Sequence, residues 1–195
     1  PLSMFAHRLR GAAAAPAMAL VAVLTGCAQV KLAEPTASMG NILLARQVAP
    51  MGVGAFSLAD DLPKSVDQSV SIRSNTFYSP YESSWARYLE ETLKVELRGA
   101  GSLDSAGGTV ITGKLTKSEV EAGSSEGTAS LGARFKATRD GKTLYESELV
   151  VNDSWPSTFV GAVAIPDAIN HYTALYRQLV AKLLGDDSFK AALKP

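Results

Sequence analysis

Apolar positions along this chain repeat with two different periods, and the change of period separates its elements. Tyr81, Trp85, Tyr88, Leu89, Leu93 and Leu97 recur at spacings of three and four, the period of one helix face. Ser79-Pro80-Tyr81-Glu82 in front of them reads as a capping box with proline at the first helical position, and Gly99 and Gly101 close the run. A second stripe, Ile169, Tyr172, Leu175, Tyr176, Leu179, Val180 and Leu183, predicts a long helix from about Pro166 to Gly185. Asp186 or Asp187 then caps a short final helix through Leu193.

Elsewhere the period is two. Residues 48–58 read as a glycine-spaced first strand, and 68–73, with Val70 and Ile72 on one face, as a short second one. Residues 109–120 are rich in β-branched side chains, and 123–127 form a flexible loop. Ala129, Leu131, Ala133, Phe135 and Ala137 then alternate with Ser130, Gly132, Arg134, Lys136 and Thr138, a strand with one buried and one wet face. Asp140-Gly141 predicts a two-residue hairpin turn into a partner strand, whose inner face carries Tyr145, Ser147, Leu149, Val151 and Trp155. The order ββαβββα gives an α+β fold. It predicts a single two-layer domain, with a mostly antiparallel sheet of about five strands and the two long helices on one of its faces.

The first 26 residues follow a different logic. Arg8 and Arg10 precede an apolar run, residues 12–24, which is shorter than the roughly 20 residues that a membrane crossing needs. The run ends in Leu24-Thr25-Gly26-Cys27, the pattern of a lipoprotein signal, in which Leu24, Thr25 and Gly26 are recognised by the signal peptidase and the cysteine is kept as the new N-terminus. The expected organisation is a signal peptide over 1–26, a lipidated tether over 27–45 and a periplasmic α+β domain over 46–195. Cys27 is the expected acceptor of diacylglycerol and of a further fatty acid such as palmitate. Several acyl chains anchor durably where one does not. Ala28 follows the cysteine where inner-membrane lipoproteins typically carry aspartate, which points to the outer membrane, with the domain facing the periplasm.

Composition then removes functions. Cleavage leaves 195 − 26 = 169 residues, one domain's length, with 17 basic and 19 acidic side chains and no basic footprint for nucleic acid. Cys27 is the single cysteine, and His171 is the single histidine after the signal. That inventory excludes disulfides, cysteine-rich zinc sites and cysteine–histidine nucleophiles. Asp60 and Asp61 are adjacent, so in an extended segment they point to opposite faces and form no shared-proton pair. His171 stands beside an apolar helical stripe, Ser157 lies in no nucleophile motif, and no metalloprotease or phosphate-loop pattern occurs. The expectation is a protein that is not an enzyme, without catalytic residues, metal or cofactor.

Binding is the better-supported class. Tyrosine and tryptophan concentrate at partner interfaces because they bury area at low entropy cost. Trp85 lies within the helical stripe and reads as core, whereas Phe77 and Tyr78, ahead of the proline-started helix, read as an exposed pair. Phe77, Tyr78, Tyr81 and Phe159 are therefore the candidate partner-binding residues, and an envelope protein is the expected partner. Glu82, Glu90, Glu91 and Lys94 read as a solvated helix face of ion pairs. Two further readings are an auxiliary carrier of lipid or another small apolar ligand, and an enzyme acting on cell-wall material.

Four stretches, SPYESSWARYLEETLKVELRGAG (79–101), LGARFKATRDGKTLY (131–145), FVGAVAIPDAINHYTALY (159–176) and DDSFKAAL (186–193), resemble uncharacterised proteobacterial lipoproteins. The layout is more loosely similar to YajG lipoproteins, to auxiliary lipoproteins of ABC-type lipid transporters and to the penicillin-binding-protein activator lipoprotein. Those proteins share a TolB N-terminal-like α/β layer. The resemblance implies that fold and an envelope location, and carries no functional residue across.

Overall fold

A computed structural model describes residues 30–195. The expected signal peptide, Leu24, Thr25, Gly26, Cys27 and the start of the expected tether lie outside the described residues. The elements in chain order are β1 (Val30–Lys31), α1 (Met39–Ala45), β2 (Gly52–Leu58), α2 (Ser65–Gln68), β3 (Val70–Ile72), β4 (Asn75–Tyr78), α3 (Trp85–Ala100), β5 (Thr109–Ala122), β6 (Glu126–Arg139), β7 (Lys142–Pro156), α4 (Gly161–Gly185) and α5 (Asp187–Ala192). The fold is α+β, a four-stranded sheet in the order β2-β5-β6-β7 with α3 and α4 on one face. Its β5–β6 and β6–β7 pairs are antiparallel, and β2 joins parallel to β5. A small second sheet, β1-β4-β3, adds three short strands.

The alternation expected of residues 129–138 is present: Ala129, Leu131, Ala133, Phe135 and Ala137 are buried beneath the helices, and Asp140 and Gly141 make the turn with φ of 49° and 75°. Every residue of the second helical stripe is buried. Asp186 caps α5, accepting from the Phe189 N–H at 2.8 Å. Gly101 ends α3 at a φ of 74°, with the Ser102 N–H donating to the Leu97 carbonyl at 2.8 Å, a left-handed C-cap that glycine adopts without strain.

Several expectations are corrected. The helix predicted from Pro80 starts at Trp85, because Glu82 and Ser83 adopt left-handed φ values of 51° and 60° that no helix can pass through. Its cap is Ser84, and Asp67 on α2 reinforces it by accepting from the Ala86 N–H at 2.7 Å and the Ser84 hydroxyl at 3.1 Å. A carboxylate at this end also complements the helix dipole. The long helix begins at Gly161, and Pro166 sits inside it, where the missing N–H removes one bond of the second turn. Glu90 is buried, not solvated: it accepts from the Phe56 N–H at 2.9 Å, where the β2–β5 register shifts, and from Lys94. Desolvation pulls the Lys94 ammonium down, but its bonds to Glu90 and Glu91 outweigh that and leave its pKa raised.

The stretch expected as tether folds in part. Residues 39–45 form α1, which lies across α3 and α4, and the buried Glu96 carboxylate of α3 holds it by accepting from the Ser38 N–H at 2.8 Å and the Asn41 amide at 3.0 Å. Asn41 also donates to the Arg177 carbonyl of α4 at 3.0 Å. Beneath α1, a Cβ on Gly99 would stand 3.0 Å from the Ile42 side chain, so a small residue there sets the approach.

Candidate functional site

Most of the aromatic candidates belong to the interior. Phe77 is buried in β4, in register with Val70 of β3 and Val30 of β1, so the expectation of an exposed loop pair is overturned. Tyr78 follows it in the same strand, half-buried, and Tyr81 is half-buried with its ring 6.1 Å from that of Tyr88. Trp85 is fully buried, edge-on to Tyr172 and stacked near Tyr176. The Tyr172 and Tyr176 hydroxyls lie 2.8 Å apart, and Tyr172 reaches Ser118 at 2.7 Å, so both phenols are satisfied inside the core. Burial pushes the pKa of both well up.

Phe159 is different. It is 81% exposed, and Val160 and Val163 beside it are 43% and 58% exposed. The chain carries no charge at any position from Ser154 to Pro166. This apolar tip is built where three connections meet: the β3–β4 turn, the β5–β6 loop and the link from β7 to α4. Arg73 ties them together. Its backbone turns with a φ of 54°, and its guanidinium donates to the carbonyls of Ala122 (3.0 Å), Gly123 (3.1 Å), Thr158 (2.5 Å) and Phe159 (2.8 Å). The planar fork of arginine suits such multiple contacts, and a lysine in its place would hold fewer of them. The Ser157 N–H adds a bond to the Ser125 carbonyl at 2.9 Å. The tip is apolar, exposed and fixed.

Just inside it, Trp155 stacks on His171 with ring centroids 4.1 Å apart and planes 3° from parallel. The ring also covers Gly127, where a Cβ would come within 2.3 Å of it. His171 Nδ1 lies 2.7 Å from an Asp153 carboxylate oxygen, a bond in which the imidazole N–H donates. Its Nε2 faces another carboxylate, Asp167, at 3.7 Å. No hydroxyl is bonded to this imidazole, and Ser157 Oγ is buried without a partner. Asp60 and Asp61, the acids weighed for catalysis, are both exposed, and Asp60 pairs with Lys114 at 2.6 Å. The arrangement orients the imidazole and backs the Trp155 ring with it.

The surface between these elements also carries concavities. A depression of about 590 Å³ lies on the sheet near the tip, lined by Glu119, Glu121, Thr128, Ser130, Asn152 and Ser154. Register puts those residues on one face, and Asp153, which meets His171 of α4, on the other, so the depression opens on the side away from the helices. A smaller one of about 200 Å³ lies between Tyr88 and Thr92 of α3 and Ile169, Thr173 and Arg177 of α4, under the 32–36 segment. No group of metal-ligating side chains occurs among the described residues.

Arg73 is the residue that sequence reasoning missed. Its signal is faint: a two-residue turn without glycine or asparagine, in which an arginine takes a left-handed conformation.

No family model and no curated protein matches the chain. Among solved structures, a Xanthomonas campestris protein of the DUF330 family aligns with a TM-score of 0.55 at 16% identity, covering 80% of this chain and 95% of that one. A minor lipoprotein from Acinetobacter baumannii aligns over 76% of this chain and 97% of its own, with a TM-score of 0.44 at 12% identity. The first match establishes a shared fold.

Proposed function

We propose that the protein is an outer-membrane lipoprotein, anchored through acyl chains on Cys27 and facing the periplasm, whose α+β domain is a non-enzymatic binding module for another envelope component. The observation that carries the binding reading is the Phe159 tip. An aromatic side chain 81% exposed is costly to keep in water, and here it is held out by an arginine that spends its donors on the loop behind it. The lipoprotein reading rests on Leu24-Thr25-Gly26-Cys27 at the end of the apolar run. A lipid-carrier role finds less support, since the larger depression is open to water and lined by the acidic residues Glu119, Glu121 and Asp153 beside Val120 and Ala129, where the interior of a carrier would be closed and mostly apolar.

The anchor is tested by Cys27→Ser. The variant is expected to fold, with an unchanged circular-dichroism spectrum, and to leave the membrane fraction for the soluble periplasmic one. Retention of the folded variant in the membrane fraction would contradict the assignment of Cys27.

A further inference from the structure

The position of the tip relative to the anchor identifies what it binds. β1 runs parallel to β4, and Val30 stands opposite Phe77. β4 begins at Asn75, straight after the Arg73–Ser74 turn, so Val30 lies two residues, or about 7 Å of strand, from the end of the small sheet that carries Arg73. Because the two strands are parallel, β1 enters from that same end. Cys27 is 30 − 27 = 3 residues before Val30, a reach of about 11 Å at full extension. Arg73 in turn donates to the carbonyl of Phe159 itself. A connection this short limits how far an anchor on Cys27 could lie from the end of the small sheet that carries Arg73 and, through it, the apolar tip. On the lipidation reading given above, we infer that the partner of Phe159, Val160 and Val163 is the lipid surface that holds the acyl chains, so that the domain docks at two points and is oriented on the bilayer instead of swinging on its tether.

The chemistry of the tip fits a bilayer interface. The segment from Ser154 to Pro166 bears no charge; its polar side chains are small hydroxyls and the buried Trp155 indole, and the Thr158 hydroxyl accepts from the Val160 N–H at 3.3 Å. Arg73 is satisfied by carbonyls, and the adjoining loop over 122–125 bears no charge, so the chemistry of the tip asks for apolar burial more than for anionic lipid. Insertion depends on apolar burial and is expected to be insensitive to salt. The other large exposed apolar side chains, Met39 and Leu43, lie on α1, which meets α4 near Arg177. That is 177 − 163 = 14 residues, or about 21 Å, along the helix from Val163.

The lipidated full-length protein, in vesicles of phosphatidylethanolamine and phosphatidylcholine carrying brominated acyl chains, tests this with tryptophan placed at either site. Phe159→Trp replaces an exposed aromatic with another and leaves the fold intact. It should add emission that is blue-shifted and quenched by the bromines at low and at high salt, while the emission added by Leu43→Trp stays red-shifted and unquenched. If the protein floats with the vesicles and the indole introduced by Phe159→Trp is solvent-exposed and unquenched, or is shielded only by a protein partner, the bilayer dock is overturned and the anchor stands. If the protein does not float, the anchor reading fails and takes the dock with it.

Discussion

At the scale of single residues, the molecule repeatedly uses one side chain to hold a backbone that would otherwise be strained or unsatisfied. Arg73 accepts a left-handed φ and compensates through four carbonyl bonds, Asp67 caps a helix it does not belong to, and Glu90 fills the irregularity of β2. Gly127 is the complementary case, a position defined by what must be absent. Trp155 lies flat over it, and a methyl group there would sit 2.3 Å from the indole, against the rigid body of a ring that His171 already backs. Gly127→Ala is therefore expected to displace Trp155 and lose its stacking on His171, at a cost of about 1–3 kcal/mol, in the range of other overpacked sites. Urea unfolding followed by tryptophan fluorescence checks this. The midpoint should fall and the native emission shift to the red through Trp155 alone, since Trp85 remains fully buried. An unchanged midpoint and spectrum would mean that the ring has room to move.

At the scale of elements, α1 tests how far the packed domain extends toward the N-terminal segment. It has only seven residues, too short to hold itself as a helix, and depends on Glu96 and on the close approach over Gly99. Glu96→Ala would leave the Ser38 N–H and one of the two Asn41 amide hydrogens without a partner and is expected to cost about 2–3 kcal/mol, whereas Glu96→Gln keeps an acceptor for one of the two donors and should cost less. Hydrogen exchange should show α1 amides losing protection in the alanine variant before those of α3 and α4. The same element shows what the sequence could and could not disclose. Long, strongly periodic stretches were legible: the two helices, the β6 alternation and the Asp140-Gly141 turn all follow from local patterns that tertiary structure reinforces. What was not legible depends on contacts distant along the chain. Nothing local in residues 39–45 says that Glu96, over fifty positions on, satisfies them. Ser79-Pro80-Tyr81-Glu82 has the composition of a capping box, but Asp67 and two left-handed residues move the start to Trp85. Phe77 looked exposed because the turn before it lacks the usual glycine. Of the four candidate partner-binding aromatics, only Phe159 stands out in water.

At the scale of the whole molecule, the helix and sheet layers meet on a polar thread, Ser118, Tyr172 and Tyr176, set among Trp85 and Tyr88. Both phenols are fully buried, and loss of solvation is the main reason that their pKa values lie well above the ordinary 10.0. The consequence for stability has a definite sign. Below pH 10 the phenols are protonated in folded and unfolded chains alike, and the raised values cost nothing. Above it the unfolded chain releases two protons that the folded chain retains, so unfolding becomes easier as pH rises. Stability is therefore expected to be level toward pH 9 and to fall as pH passes through 10 and beyond. In the folded protein these two tyrosines should not ionise until the domain opens. Alkaline titration followed by tyrosinate absorbance should show two phenols that appear only together with the loss of the far-ultraviolet dichroism signal. Replacing both with phenylalanine removes that step and the part of the alkaline destabilisation that it carries. The substitution also breaks the bond to Ser118 and leaves its hydroxyl buried, so the variant should be less stable at neutral pH by about 1–2 kcal/mol yet lose less on the way to high pH. Two phenols that titrate freely near 10 in the intact fold would show instead that water reaches the layer between helices and sheet.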